Sequence, residues 1–144
     1  FMRYQVNCPF RKLKDLVKEI QKQTPIIVVD MHAETTSEKI ALGHFINGQV
    51  SALVVTHTHV QTADETIFSQ GTGYITDLGM TGPQDSVIGR RSDAIVEHFL
   101  TLLPKKFEIA DKDVELQGAI VKIDDESGKC LLIERVKEKL ENYR

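Results

Sequence analysis

Two stretches decide the fold: Pro25-Ile26-Ile27-Val28-Val29-Asp30-Met31-His32, and further along Ala52-Leu53-Val54-Val55-Thr56-His57-Thr58-His59. Each begins as a short apolar run without alternation, β-branched throughout Ile26 to Val29, the pattern of a strand buried on both faces. Each then runs out into a segment that carries histidine. Between them Thr35 and Glu38 stand at capping-box spacing and open a helix expected to bury Ile40, Ala41, Leu42, Phe45 and Ile46, with Gly48 placed to end it. Upstream, Arg11 to Gln23 sets Leu13, Leu16, Val17 and Ile20 on one helical face, and Pro25 stops the run. The order helix, strand, helix, strand predicts a βαβ unit with parallel strands. Reactive groups in such sheets gather beyond the carboxyl ends of the strands, where His32, His57 and His59 all fall.

Downstream, Ser69 to Gly73 is rich in turn formers and leads into a short strand at Tyr74 to Thr76. A long loop follows from Asp77 to Gly89, in which Met80 and Pro83 are expected to project. Ser92 or Asp93 can cap a helix carrying Ile95, Val96, Phe99, Leu100 and Leu103, which Pro104 ends. Lys106 to Ile109 and Val114 to Ile123 read as strands. Asp124 to Gly128 reads as a hairpin loop returning through Cys130 to Val136, and the charged tail Lys137 to Arg144 as a frayed helix. With no repeat, low-complexity stretch or linker, residues 1–144 are expected to form one domain.

The 144 residues suffice for one core, and 41% apolar with 27% charged residues is ordinary globular composition. A net charge of -3 offers no basic surface for nucleic acid. The longest apolar run, Ile26 to Val29, is too short to cross a membrane. Cys8 and Cys130 make no disulfide framework and read as free thiols, so a reducing cytoplasm is expected. The chain opens at Phe1 directly in globular sequence. Its N-terminus is therefore expected to be cut.

His57 and His59 are separated by one residue, and on an extended exit segment both would point the same way. Two imidazoles aimed into one space suit a divalent metal, and His32 arrives from the neighbouring strand end. Asp30, Asp64 and Asp77 are candidates to orient an imidazole from behind. Spacing alone leaves a metal site and a plain polar surface both open, and His32 by itself would read as a hydrogen-bonded core histidine. His44 and His98 have no partner at useful spacing and read as structural or solvated. Neither cysteine has a nearby histidine, and no serine sits in a G-x-S-x-G turn. Gly71-Thr72-Gly73 lacks a full phosphate-loop fingerprint, and Asp124-Asp125-Glu126 lacks the length of a calcium loop.

The segments DMHAETTSEKIALG, VVTHTHVQTADE and GTGYITDLGMTGPQDSVIG resemble those of the YmdB-like, calcineurin-type bacterial metallophosphoesterases, in the same order, over nearly the whole chain. That resemblance implies an α/β fold: the C-terminal half of a β-sandwich of two facing sheets flanked by helices, ending in a β-hairpin. It implies phosphodiester hydrolysis with two divalent metal ions (iron, manganese or zinc), with a small phosphodiester or 2′,3′-cyclic nucleotide as substrate. His32 and His57 match ligands of one metal and His59 a ligand of the other. The family's acidic and asparagine ligands and its general-acid histidine precede the stretch matched here, so no catalytic residue is assigned in this chain. The missing N-terminal half is then a partner, self-association is expected, and the chain alone is expected to be inactive. Two other readings stay in view: a single-metal hydrolase of the amidohydrolase kind, which needs a full barrel, and a non-catalytic oligomerising or regulatory module.

Overall fold

Val28–His32 (β1) and Ala52–Thr56 (β2) pair in parallel, Val28 opposite Ala52 and His32 opposite Thr56. The connection between them is the helix Thr36–Ile46 (α2), so the βαβ unit stands in this computed structural model, which describes residues 7–140. Thr35 caps α2 as its spacing predicts: its hydroxyl accepts from the Glu38 amide at 3.4 Å and donates to the Glu38 carboxylate at 3.0 Å. Thr66–Ile67 (β3) and Gly73–Ile75 (β4) complete the first sheet in the order β1-β2-β4-β3, with β4 parallel to β2. Gly82–Pro83 (β5), Val114–Ile123 (β6) and Cys130–Lys139 (β7) form a second, antiparallel sheet in the order β5-β6-β7. The result is a mixed α/β fold of two sheets with helices. Two open sheets are not the closed barrel that the amidohydrolase reading requires.

The period-two alternation of β2 and β4 separates two cores. Leu53, Val55 and Tyr74 face the helices and pack with Leu13, Val17, Leu42 and Ile46. Val54 and Ile75 face the second sheet and pack with Cys130, Ile133, Ala119 and Val121. The second sheet does not extend over β1. Val29 and Met31 pack toward the helices, whereas Val28, Asp30 and His32 lie on the other face and are exposed, Val28 by 55%. The expectation of a strand buried on both faces therefore holds for β2 and fails for β1, an edge strand covered on one side.

Helix Pro9–Ile20 (α1) begins two residues earlier than expected, with proline in its first turn, where a missing N–H costs nothing. It buries Leu13 and Val17 but leaves Leu16 and Ile20 exposed along an apolar groove beside β1. In α2 the inward residues are Lys39, Leu42, Gly43 and Ile46, a face at helical spacing, while Ile40, Ala41 and Phe45 turn out to solvent, contrary to expectation. Close approach sets that face. A Cβ on Gly43 would lie 2.8 Å from the Phe68 ring and 2.9 Å from that of Tyr74.

Downstream, Ser92–Thr101 (α3) starts after Arg91 with no side-chain cap and buries Ile95 alone, leaving Val96, Phe99, Leu100 and Leu103 exposed. Lys106 to Ile109 is not a strand: its one ladder contact is an isolated bridge from Ile109 to Arg90. The segment 77–89 is not a free loop. β5 pairs with β6 inside it, the Met80 amide donates to Gln117 Oε1 at 3.0 Å, and both Met80 and Pro83 are half-buried. Lys137 to Lys139, expected to open a helix, continue β7, where Lys137 pairs with Gln117 and Lys139 with Glu115. Lys137 Nζ lies 3.1 Å from the Glu115 carboxylate, which is almost wholly buried. The rest of that expected helix, 141–144, lies outside the described residues, as does Phe1.

The hairpin tip rests on the segment before β1. Gly128 adopts φ +69°, and a Cβ there would meet the Pro25 carbonyl oxygen at 2.1 Å. Gly128→Ala should lower stability by about 1–3 kcal/mol. At Gly118 a Cβ meets nothing within 4 Å, so Gly118→Ala should shift the urea midpoint little. Equal midpoints for the two variants would show that the tip does not bear on Pro25.

Candidate functional site

The parallel register of β1 and β2 brings their exit residues side by side. His32 Nδ1 lies 3.2 Å from Thr56 Oγ1, and His32 Nε2 lies 3.0 Å from His57 Nδ1. The two rings meet edge to face, with centroids 4.9 Å apart and planes at 72°. Two tautomer pairs satisfy both contacts, because the Thr56 hydroxyl can accept or donate: either His32 donates from Nδ1 to Thr56 and accepts at Nε2 from the His57 Nδ1–H, or Thr56 donates to His32 Nδ1 and the His32 Nε2–H donates to His57 Nδ1. In the first pair the Thr56 oxygen takes the His32 Nδ1–H and leaves Nε2 unprotonated, the arrangement in which an outer partner holds a metal-ligating histidine.

The spacing can be tested against an ion. Two nitrogens bound to one tetrahedral zinc-sized ion, each about 2.0–2.1 Å from it, lie about 3.3 Å apart. The observed 3.0 Å is close to that, so His32 and His57 fit as two ligands of one ion. They do not complete a site. Among the described residues no group of three or more histidine, cysteine or acidic side chains could hold a metal.

His59 does not join the pair in the way an extended segment would place it. Residues 57–60 bend rather than run straight. His57 has φ 150° and His59 φ 64°, both in the positive region that residues with a Cβ avoid. His59 is exposed and, among the described residues, makes no hydrogen bond to either imidazole. The physical reason lies between them. The Thr58 amide donates to Asp77 Oδ2 at 2.8 Å, and the Thr58 hydroxyl accepts from the Val60 amide at 3.2 Å, closing a turn.

Asp77 is wholly buried and bonds Lys39 Nζ at 2.9 Å, with Lys39 only 1% exposed. Burial works against its charge, but the Thr58 amide, the Lys39 ammonium and the Gly79 amide together hold the Asp77 carboxyl below its ordinary range. Asp77 thus orients the backbone between two imidazoles and, contrary to expectation, neither imidazole itself. Asp64 accepts from the Thr76 amide at 3.2 Å and from the Thr76 hydroxyl. Burial likewise opposes its charge, and hydrogen bonds from Thr62 and Thr76 outweigh it. Asp30 is exposed on the open face of β1 and, among the described residues, bonds neither imidazole.

The remaining candidates take structural roles. His44 stacks on Phe68 at 4.7 Å, and Phe68 on Tyr74 at 5.0 Å. His98 Nδ1 donates to the Leu103 carbonyl at 2.7 Å. Both cysteines are free, and burial pushes the Cys130 thiol up, away from reactivity. Sequence reasoning missed Lys39. The signal was its position three, four and seven residues before Leu42, Gly43 and Ile46, which puts it on the buried face.

The profile of the family described as YmdB-like protein matches residues 1–136. A 2′,3′-cyclic-nucleotide 2′-phosphodiesterase of Bacillus subtilis is 49% identical over 128 residues, covering 89% of this chain and 48% of the relative. The crystal structure of a novel phosphatase from Mycoplasma pneumoniae superposes with TM-score 0.87 at 34% identity, covering 96% of this chain and 49% of that one. A hypothetical protein from Thermus thermophilus superposes with TM-score 0.83 at 37% identity, covering 96% of this chain and 53% of its own. The chain spans about half the length of the curated relatives it matches.

Proposed function

We propose, starting from the fact that this chain belongs to the YmdB-like protein family, that it forms one wall of a dinuclear metal site in a phosphodiester hydrolase. The observation that carries this reading is the His32–His57 pair at adjacent parallel strand ends, with the second nitrogen of His32 held by Thr56. His32 and His57 serve one divalent ion, and the exposed His59, across the turn at Thr58, serves the other. The name of the Bacillus subtilis relative supports a 2′,3′-cyclic nucleotide, or another small phosphodiester, as substrate. Iron, manganese and zinc all suit mixed imidazole and carboxylate ligands. Bound as a pair, such ions supply an activated water and charge stabilisation on the phosphoryl oxygens.

In this reading the chain's own residues do three things. His32 Nε2 and His57 Nδ1, which share a proton without metal, would give it up and present lone pairs to one ion. Thr56 holds the His32 ring in orientation. The turn at Thr58 sets His59 apart from the pair so that it can serve a separate ion. The imidazoles bring no negative charge to offset two neighbouring dications, and the carboxylate and asparagine ligands and the general acid come from a segment outside this chain. That segment is proposed to dock along the open edge of β1 and the groove lined by Leu16, Ile20 and Val28. The exposed Phe99 and Leu100 of α3 offer further surface for self-association. Free thiols fit the cytoplasm, and among the described residues no helix is long and apolar enough to cross a membrane.

The test compares this chain with a polypeptide of the relatives' full length that carries it, both supplied with manganese or iron and assayed on bis-p-nitrophenyl phosphate and a 2′,3′-cyclic nucleotide. Turnover is expected from the long form only. Robust turnover by the short chain would overturn the proposed division of ligands.

A further inference from the structure

The Lys39–Asp77 pair takes no part in the chemistry above, yet it is the most completely buried ion pair among the described residues, with side-chain exposures of 1% and 0%. Taking two charges out of water is costly, and apolar residues of similar volume commonly serve packing as well or better. The carboxylate has other work. Asp77 Oδ2 accepts from the Thr58 amide at 2.8 Å as well as from Lys39 Nζ, and Oδ1 accepts from the Gly79 amide at 3.0 Å. Its own amide donates to Thr62 Oγ1 at 2.9 Å, and its carbonyl accepts from the Thr62 amide at 3.1 Å. One residue thus grips the segment from Thr58 to Thr62 at both ends. Gln61 ties the same segment to the second sheet, donating to the Gly118 carbonyl at 2.9 Å and the Val136 carbonyl at 3.1 Å.

His57 and His59, both with positive φ, flank the residue whose amide Asp77 holds. Such conformations persist only where the surroundings impose them. We infer that Lys39 and Asp77 are positioning residues for the histidine turn: α2 delivers the ammonium, the ammonium fixes the carboxylate, and the carboxylate fixes the peptide between His57 and His59. This rests on the metal-site reading above only for its consequence, since the positioning itself is visible without metal.

The experiment uses the full-length polypeptide carrying this chain, with Lys39→Met/Asp77→Leu as the main variant, Asp77→Asn as a second and His57→Ala as a reference. Melting temperature reports the fold. Nitrogen-15 histidine spectra without metal report the His32–His57 contact. Titration with manganese(II) alone reports affinity. The double variant removes both charges at similar volume but leaves the Thr58 and Gly79 amides without their acceptor, so its melting temperature should fall while the protein stays folded. Its His32–His57 contact should be lost, and manganese should bind about 10–100-fold more weakly, the range seen when a metal ligand loses its outer support. If the double variant does not fold, Asp77→Asn is read the same way in its folded fraction. A wild-type imidazole contact and wild-type affinity in a folded variant would overturn the inference. If His57→Ala itself leaves manganese affinity unchanged, the metal reading fails, and the imidazole contact alone decides the positioning role.

Discussion

His57→Ala in the full-length protein should reduce phosphodiester turnover by more than about 100-fold while leaving the melting temperature nearly unchanged. Removing the outer partner of a metal-ligating imidazole costs about 10–100-fold, so removing a ligand costs more. The fold should tolerate the loss because His57 is exposed and, among the described residues, its ring hydrogen-bonds to His32 alone, at 3.0 Å between nitrogens. Thr56→Val is the milder companion. It leaves His32 in place but takes away the oxygen at 3.2 Å that holds its ring, and a loss within the 10–100-fold range is expected. Steady-state kinetics on bis-p-nitrophenyl phosphate after metal reconstitution separates the two. Undiminished turnover in His57→Ala would put the chemistry elsewhere.

The second large effect concerns stability, and it contrasts two residues on adjacent strands. Leu53→Ala should cost about 2–5 kcal/mol, because Leu53 is wholly buried between β2 and the helices and its removal leaves a cavity. Val28→Ala, next door on β1, should cost less than about 1 kcal/mol in this chain, since its side chain is 55% exposed. In the full-length protein, where the proposed segment covers β1, the Val28 variant should cost more than it does in this chain. Urea denaturation of both variants in both lengths reads this directly. A Val28 cost that does not grow with the added segment would mean that β1 is not its seat.

Those two residues also mark where the sequence was informative. Ile26 to Val29 and Leu53 to Val55 are both short apolar runs without alternation, so both read as buried strands; their different exposure follows from where the second sheet ends, which neither run records. The βαβ order, the capping box at Thr35 and Glu38, the placement of His32 and His57 at strand exits and the final hairpin were all legible. Each depends on neighbours within one turn or one strand, where periodicity carries the signal.

The arrangement of the histidines was legible only in part. Register between β1 and β2 brings His32 to His57, as parallel strands with exits on one edge require. The bend at Thr58 depends on Asp77, 19 residues away, and the charge on Asp77 depends on Lys39, 38 residues further back. Lys39 sits in a run of good helix formers and looks like an ordinary surface lysine until Asp77 is placed opposite it. The sequence by itself determined the βαβ unit, the order of its elements and the strand ends at which the imidazoles emerge. The tertiary structure alone decided how far each strand is covered and how the peptide between His57 and His59 is turned, because the second sheet that covers β2 and the Asp77 carboxylate that holds the Thr58 amide both come from residues distant in the chain.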